Sequence, residues 1–208
     1  GGIDMVSYAS SNAAVNINLA LGTASGGYAT GDVLYNFEDI NGSAYDDTLT
    51  GSNTDGTIYG LAGNDTINGG IGNDILIGGT GGDTINGGAG IDTVFYGTSN
   101  AGVNVNLNLS STTAQSGGDA QGDKLSNVEN ITGSSNNDTL AGNSGANTIN
   151  GVDGVDTVSY ASSNAAVNIN LALGTASGGF ANGDILLNIE NIIGSAFTDT
   201  LTGNDGDN

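Results

Sequence analysis

The chain has 208 residues, 38 of them Gly, with no Pro, Cys, His or Trp, and a formal charge of −21 in which Lys124 is the single cation. Without His, Cys or Arg, the side chains most often used as general base, thiolate nucleophile and oxyanion clamp are missing, so no enzymatic activity is expected. Phosphates would meet only repulsion, which excludes nucleic acid as a partner, and no stretch approaches the roughly 20 apolar residues of a membrane span, so no membrane insertion is expected.

A nine-residue register runs through the sequence. Residues 1–7 end a repeat, with Asp4 and Val6 at its sixth and eighth positions, and residues 8–41 form a first spacer. Residues 42–95 are six nonapeptides: GSAYDDTLT, GSNTDGTIY, GLAGNDTIN, GGIGNDILI, GGTGGDTIN and GGAGIDTVF. Their sixth positions are Asp47, Gly56, Asp65, Asp74, Asp83 and Asp92, and their eighth positions are Leu49, Ile58, Ile67, Leu76, Ile85 and Val94. After a second spacer at 96–132 come GSSNNDTLA, GNSGANTIN and GVDGVDTVS (133–159), carrying Asp138, Asn147 and Asp156. A third spacer (160–193) leads to GSAFTDTLT with Asp199 and to a cut repeat that reaches Asn208, within a block at 194–208. High Gly content and acidic charge would also suit a disordered tail, but an aliphatic residue at every ninth position is what a solenoid needs.

The spacers keep the register. Val15, Val103 and Val167 fall nine residues after Val6, Val94 and Val158, while Ile40, Ile131 and Ile192 fall nine before Leu49, Leu140 and Leu201. Residues 6–27 and 158–179 are identical, the mark of a tandem duplication, and the longer middle spacer diverges at residues 110–115, where a wider surface loop is expected. Each spacer therefore reads as a wider coil, and residues 1–208 as a single continuous solenoid belonging to a longer array. The expected fold is all-β, a right-handed parallel β-roll or β-helix with no significant helix, since no capped 3.6-residue pattern is present.

Gly at the turns permits positive φ and close backbone approach, so carbonyl oxygens turn inward beside one carboxylate per loop. Such a site holds only oxygen donors, which suits calcium and not zinc. Carboxylates eighteen residues apart would stack on one edge of the solenoid at about the 4.8 Å strand spacing.

The four copies at residues 60–95 follow G-G-x-G-x-D-x-U-x, and the chain resembles the RTX, or hemolysin-type calcium-binding, repeat family. The resemblance implies several calcium ions between successive loops. On one edge these would lie at Asp74 and Asp92, on the other at Asp47, Asp65 and Asp83, with Asp138 and Asp156 repeating the arrangement and Asp4 and Asp199 in the same register. Gly63, Gly70, Gly72, Gly79, Gly81, Gly88 and Gly90 would supply the turned backbone of these loops. The pattern breaks at Gly56, Asn147 and Asn208, and eighteen residues upstream of each stands Glu38, Glu129 or Glu190. These pairs read either as weaker, differently shaped calcium sites or as closed contacts without an ion. Asp32, Asp123 and Asp184 end the turns GGYATGD, GGDAQGD and GGFANGD, as ordinary turn residues or as members of longer loops.

By the same resemblance, the chain would leave a Gram-negative cell unfolded through a type I secretion channel and fold at the cell surface or beyond on meeting calcium. Near-identical tandem copies without a catalytic constellation suggest a structural module of an adhesin, surface layer or extracellular filament, with head-to-tail self-association. The alternative is the calcium-dependent C-terminal part of a secreted protease, lipase or alginate-modifying enzyme. An ice-binding surface would need a regular row, which Ala62, Ile71, Thr80 and Ala89 with Asn64, Asn73, Gly82 and Ile91 do not provide.

Overall fold

The structure is a computed structural model that describes residues 2–206, so Asn208, in register with Glu190, lies outside the described residues. Short β-strands follow the sixth position of each repeat, as in Thr48–Thr50, Thr66–Ile71 and Thr84–Ala89. The alternation of Thr, aliphatic residue and Asn or Thr explains them: the aliphatic side chain turns inward while its neighbours face outward. Leu49, Ile58, Ile67, Leu76, Ile85 and Val94 are at most 1 % exposed, as the period predicts.

Two compact units are present. The first contains residues up to Val94 together with Ser110–Ala114 and Asp119–Val128, and the second contains Phe95–Leu109, Gln115–Gly118 and residues from Glu129 on. In the first unit one sheet face orders its strands Met5–Ser7, Asp39–Asn41, Thr57–Ala62, Ile75–Thr80 and Thr93–Phe95. The other face runs Lys124–Ser126, Thr84–Ala89, Thr66–Ile71, Thr48–Thr50, Asn16–Asn18 and Thr23–Ser25. Within the block the partners are eighteen residues apart and parallel, Leu49 with Ile67 and Ile67 with Ile85. The second unit repeats the plan, with Asn104–Asn106, Thr139–Ala141, Thr157–Ser159 and Asn191–Ile193 on one face. Asn130–Thr132, Thr148–Asn150, Ile185–Leu187, Thr175–Ser177, Asn168–Asn170 and Thr200–Thr202 form the other. This is a parallel β-roll architecture.

The spacers depart from a plain wider coil. After Asn16–Asn18 the chain reverses and Thr23–Ser25 pairs back antiparallel, Ile17 opposite Ala24. Asn18 Oδ1 accepts the Leu21 N–H at 2.9 Å and Gly22 takes φ 68°, so a side-chain acceptor and one glycine set the turn. The duplicated segment does the same, with Ile169 opposite Ala176 and Gly174 at φ 63°. In the middle spacer the exposed loop through residues 108–114 replaces that turn. There the side chain of buried Gln115 does the work of a strand, its Oε1 accepting the Asn106 N–H at 2.8 Å and its Nε2 donating to the Asn106 carbonyl at 3.2 Å. The only helical elements among the described residues are single 3-10 turns at Gly27–Ala29, Gly118–Ala120 and Gly179–Ala181, so none could cross a membrane.

Candidate metal centre

The sixth-position carboxylates form buried ladders. On one edge of the first unit the Val15 N–H donates to Asp47 Oδ1 (2.8 Å), Asp47 N–H to Asp65 Oδ1 (2.7 Å), Asp65 N–H to Asp83 Oδ1 (2.8 Å) and Asp83 N–H to Asp123 Oδ1 (2.8 Å). On the other edge the Gly56 N–H donates to Asp74 Oδ1 and Asp74 N–H to Asp92 Oδ1, each at 2.9 Å. In the second unit Val103, Asp138 and Asp156 continue the rule, with Asp156 N–H donating to Glu190 Oε2 at 2.8 Å. Glu38 Oε2 likewise accepts the Asp4 N–H at 2.9 Å. A Glu therefore serves as the ladder acceptor where the chain leaves a spacer, reaching a donor 34 residues upstream.

Asp123 and Asp184, which end the glycine-rich spacer turns, are ladder members: Asp184 Oδ1 accepts the Asn147 N–H at 2.9 Å, and its Oδ2 accepts the Tyr160 hydroxyl at 2.8 Å. Their ladder partners lie 40 and 37 residues away, outside the eighteen-residue period. At the Glu129 and Asn147 position the contact runs through the backbone, Asn147 Nδ2 donating to the Glu129 main-chain oxygen at 2.6 Å.

Two kinds of aspartate occur on the ladders. Where Ser stands at position two, both carboxylate oxygens are held by protein donors. Ser43 N–H and Oγ–H reach Asp47 at 2.5 and 2.8 Å, Ser134 reaches Asp138 at 2.7 and 2.9 Å, and Ser195 reaches Asp199 at 2.7 and 2.6 Å. The Ser195 hydroxyl holds the Asp199 carboxyl below its ordinary range. Where position two is Gly, Leu or Val, the turn opens into positive φ: Leu61 at 81°, Gly70 at 108°, Gly79 at 97°, Gly88 at 105° and Val152 at 81°. No serine then reaches the acid. The Oδ2 atoms of Asp65, Asp74, Asp83 and Asp156 are buried and have no hydrogen-bond partner.

Burial pushes Asp65 up to about 7, against the Asp47 N–H that lowers it, with Asp83, Asp47 and Asp46 adding repulsion. Burial likewise raises Asp74, Asp83 and Asp156 to about 6 each, opposed by N–H donors and helped by neighbouring carboxylates. These are groups in a low-dielectric place with no cation to meet them. A cation would remove the cost. The donor set is oxygen alone, and among the described residues no three acidic side chains converge, so main-chain carbonyls must complete any coordination shell. Position-one glycines keep room for it: a methyl on Gly69 would lie 2.6 Å from Asp74 Oδ2. At position four, Gly63, Gly72, Gly81 and Gly90 hold φ between 126° and 149°. The residues fit a hard ion that accepts irregular oxygen coordination, which describes calcium.

A sequence profile for the RTX calcium-binding nonapeptide repeat (four copies) matches residues 37–67, 50–85, 59–94, 127–164 and 188–208, together more than half of the chain. The chain belongs to the RTX calcium-binding repeat family. No curated protein matches it. RTX nonapeptides bind calcium ions, and the family found here is a calcium-binding repeat and not a catalytic one. An exposed second row braces the RTX loops: position-five Asp46 and Asp55 accept the N–H of Asn64 and Asn73 at 2.7 and 2.8 Å. Asn64 and Asn73 in turn accept from Gly82 and Ile91 at 2.9 and 2.8 Å. Asn at position five was the sequence signal for this row.

The raised carboxyls give a pH prediction for the calcium-free chain. An acid whose folded pKa exceeds its unfolded value binds more protons when folded, so stability falls as pH rises between about 4 and about 7, from the ordinary 3.8 to the raised values. In chelator, any residual β structure is expected at about pH 5, with a urea midpoint that falls as pH rises and is lost before neutral pH. A midpoint that climbs with pH across this window would contradict the assignment.

Proposed function

We propose that this chain is an extracellular structural module that folds when calcium fills its loops after secretion and builds a surface adhesin, surface layer or filament by head-to-tail association. The observation that carries the calcium step is the row of buried, unpartnered Oδ2 atoms on Asp65, Asp74, Asp83 and Asp156. Metal-free, the folded form keeps these carboxylates uncompensated, so at neutral pH folding waits for the ion. The strong negative charge acts in the same direction, keeping a metal-free chain expanded. Family membership supports export, since RTX proteins are typically secreted.

On this reading the ligands come first from Asp65, Asp74, Asp83, Asp92 and Asp156 with the turned backbone of Gly63, Gly70, Gly72, Gly79, Gly81, Gly88 and Gly90. Asp47, Asp138 and Asp199 are held by serine and serve as structural caps, and Asp4, Glu38, Glu190, Glu129 and Asn147 brace the ladder. Calcium titration by equilibrium dialysis tests the division. Asp83→Asn is expected to remove at least one ion or weaken its site about tenfold or more, whereas Asp47→Asn keeps the full count. Equal losses in both variants would defeat it.

A further inference from the structure

Five Asn-Gly pairs occur in the chain: Asn41-Gly42, Asn68-Gly69, Asn86-Gly87, Asn150-Gly151 and Asn182-Gly183. Such a pair is reactive in itself, because a glycine nitrogen with no side chain beside it can attack the asparagine side-chain carbon and expel ammonia. Four of the five straddle the junction between one nonapeptide and the next, at positions nine and one. The roll holds these four in place. Gly42, Gly69, Gly87 and Gly151 are buried. The Gly42 N–H donates to the Tyr59 carbonyl at 2.8 Å and the Gly151 N–H to the Leu187 carbonyl at 3.0 Å, so both nitrogens are tied to a neighbouring coil. Side chains are held too: Asn86 Nδ2 donates to Asn68 Oδ1 at 3.3 Å, and Asn86 Oδ1 and Asn150 Oδ1 accept from Asn127 and Asn188 Nδ2 at 2.7 and 2.8 Å. Closing a ring at any of them means opening a coil first.

The fifth pair lies in the glycine-rich turn of the third spacer. Residues 181–184 place Asn182 at φ −73°, ψ 103° and Gly183 at φ 92°, the values of a type II turn. Both residues are exposed, and neither the Asn182 side chain nor the Gly183 N–H makes a hydrogen bond among the described residues. One bond spans the turn, from the Asp184 N–H to the Ala181 carbonyl at 3.3 Å.

At this ψ the Gly183 nitrogen points away from the Asn182 side chain, so ring closure requires the peptide between them to rotate. Exchange between type II and type I turns is that rotation, carrying ψ of the first central residue from about +120° to about −30°. Nothing but the single long bond resists it. The equivalent turns carry Thr30-Gly31 and Gln121-Gly122, where threonine has no amide to lose and glutamine would have to close a larger ring.

We propose that Asn182-Gly183 is a self-modification site, which deamidates in the folded protein while the other four pairs are preserved. The Gly183 nitrogen bonds to Asn182 Cγ, the Cγ–Nδ2 bond breaks, and the proton of the attacking nitrogen leaves in ammonia. One water then opens the succinimide. Opening at the side-chain carbonyl gives aspartate; opening at the main-chain carbonyl gives isoaspartate, which lengthens the backbone by one methylene. Asp184 follows two residues later, its Oδ1 on the Asn147 N–H and its Oδ2 on the Tyr160 hydroxyl. A lengthened backbone therefore displaces a ladder carboxylate and loosens the junction between the third spacer and the coil beside it.

The full chain, calcium-loaded and β-rich by circular dichroism, is aged in mildly alkaline buffer beside a sample unfolded in urea, and its peptides are followed by mass spectrometry. The one-dalton gain of an amide turned acid is expected at Asn182 about tenfold or more faster than at Asn41, Asn68, Asn86 or Asn150, which react only through local opening. In urea the five rates should draw together. Asn182→Gln is expected to abolish the gain at this position. The urea midpoint of the aged wild-type chain should then fall below that of the fresh one, while the aged Asn182→Gln variant keeps its own. Equal rates at all five pairs in the folded chain, or an Asn182 amide that outlasts the others, overturns the proposal, and an unchanged midpoint after conversion overturns the consequence drawn for the ladder. The assignment needs only the folded roll, so its failure is distinct from failure of the calcium or head-to-tail readings.

Discussion

Removing calcium with a chelator at neutral pH is expected to unfold the chain. A site with a dissociation constant on the order of 1 mM, as in extracellular calcium modules, gains roughly 1.4 kcal/mol from about 10 mM ion. Four to six such sites contribute roughly 6 to 8 kcal/mol, comparable with the whole stability of a domain. Little else offsets the ordering of 38 glycines, because the core holds one aliphatic side chain per nonapeptide. The measurement is far-ultraviolet circular dichroism with small-angle scattering. In chelator the β signal should vanish and the radius of gyration approach about 50 Å, the value for an unfolded chain of this length. A compact, β-rich chain in chelator would refute the role given to the buried Oδ2 row.

Gly81→Val is expected to be the most damaging single substitution in the calcium-loaded protein. Gly81 holds φ 139°, and any Cβ there would run into the Gly63 carbonyl of the coil below. Backbone strain and overpacking combine to about 3 to 5 kcal/mol, read as a fall in the urea midpoint at saturating calcium. Gly31→Ala is the control: its φ is 91°, but nothing lies within 4 Å of the added methyl, so only the conformational strain of about 1 to 2 kcal/mol remains. Equal losses at the two sites would show that the stacked carbonyls do not constrain position four.

The residues at 60–95 made most of this legible. Period nine fixed the inward aliphatic positions, and Asp65, Asp74, Asp83 and Asp92 fell on the edges that the eighteen-residue stacking required. What the sequence concealed depended on offsets other than eighteen. Asp123 and Asp184 join the ladders across spacers, where loop length and not periodicity sets the distance. The return strands Thr23–Ser25 and Thr175–Ser177 were hidden because three small residues carry no alternating pattern; an Asn acceptor and one glycine determine the reversal. The difference between serine-held and unpartnered aspartates was written at position two, but it acquires meaning only once Ser43 is seen against Asp47.

The buried ladder also has a direction, since each coil's backbone N–H is met by a carboxylate from the coil that follows it in sequence. A coil is therefore unfinished until the next is laid down, which makes folding a zipper with a nucleus and successive additions. Within the blocks each addition closes only eighteen residues, a low contact order that favours speed. Crossing a spacer means closing 32 to 40 residues before the ladder resumes, at an extra entropic cost of about 0.6 kcal/mol per doubling of length. The repeat blocks thus set the rapid phases of assembly, and the spacers are where a growing fold pauses.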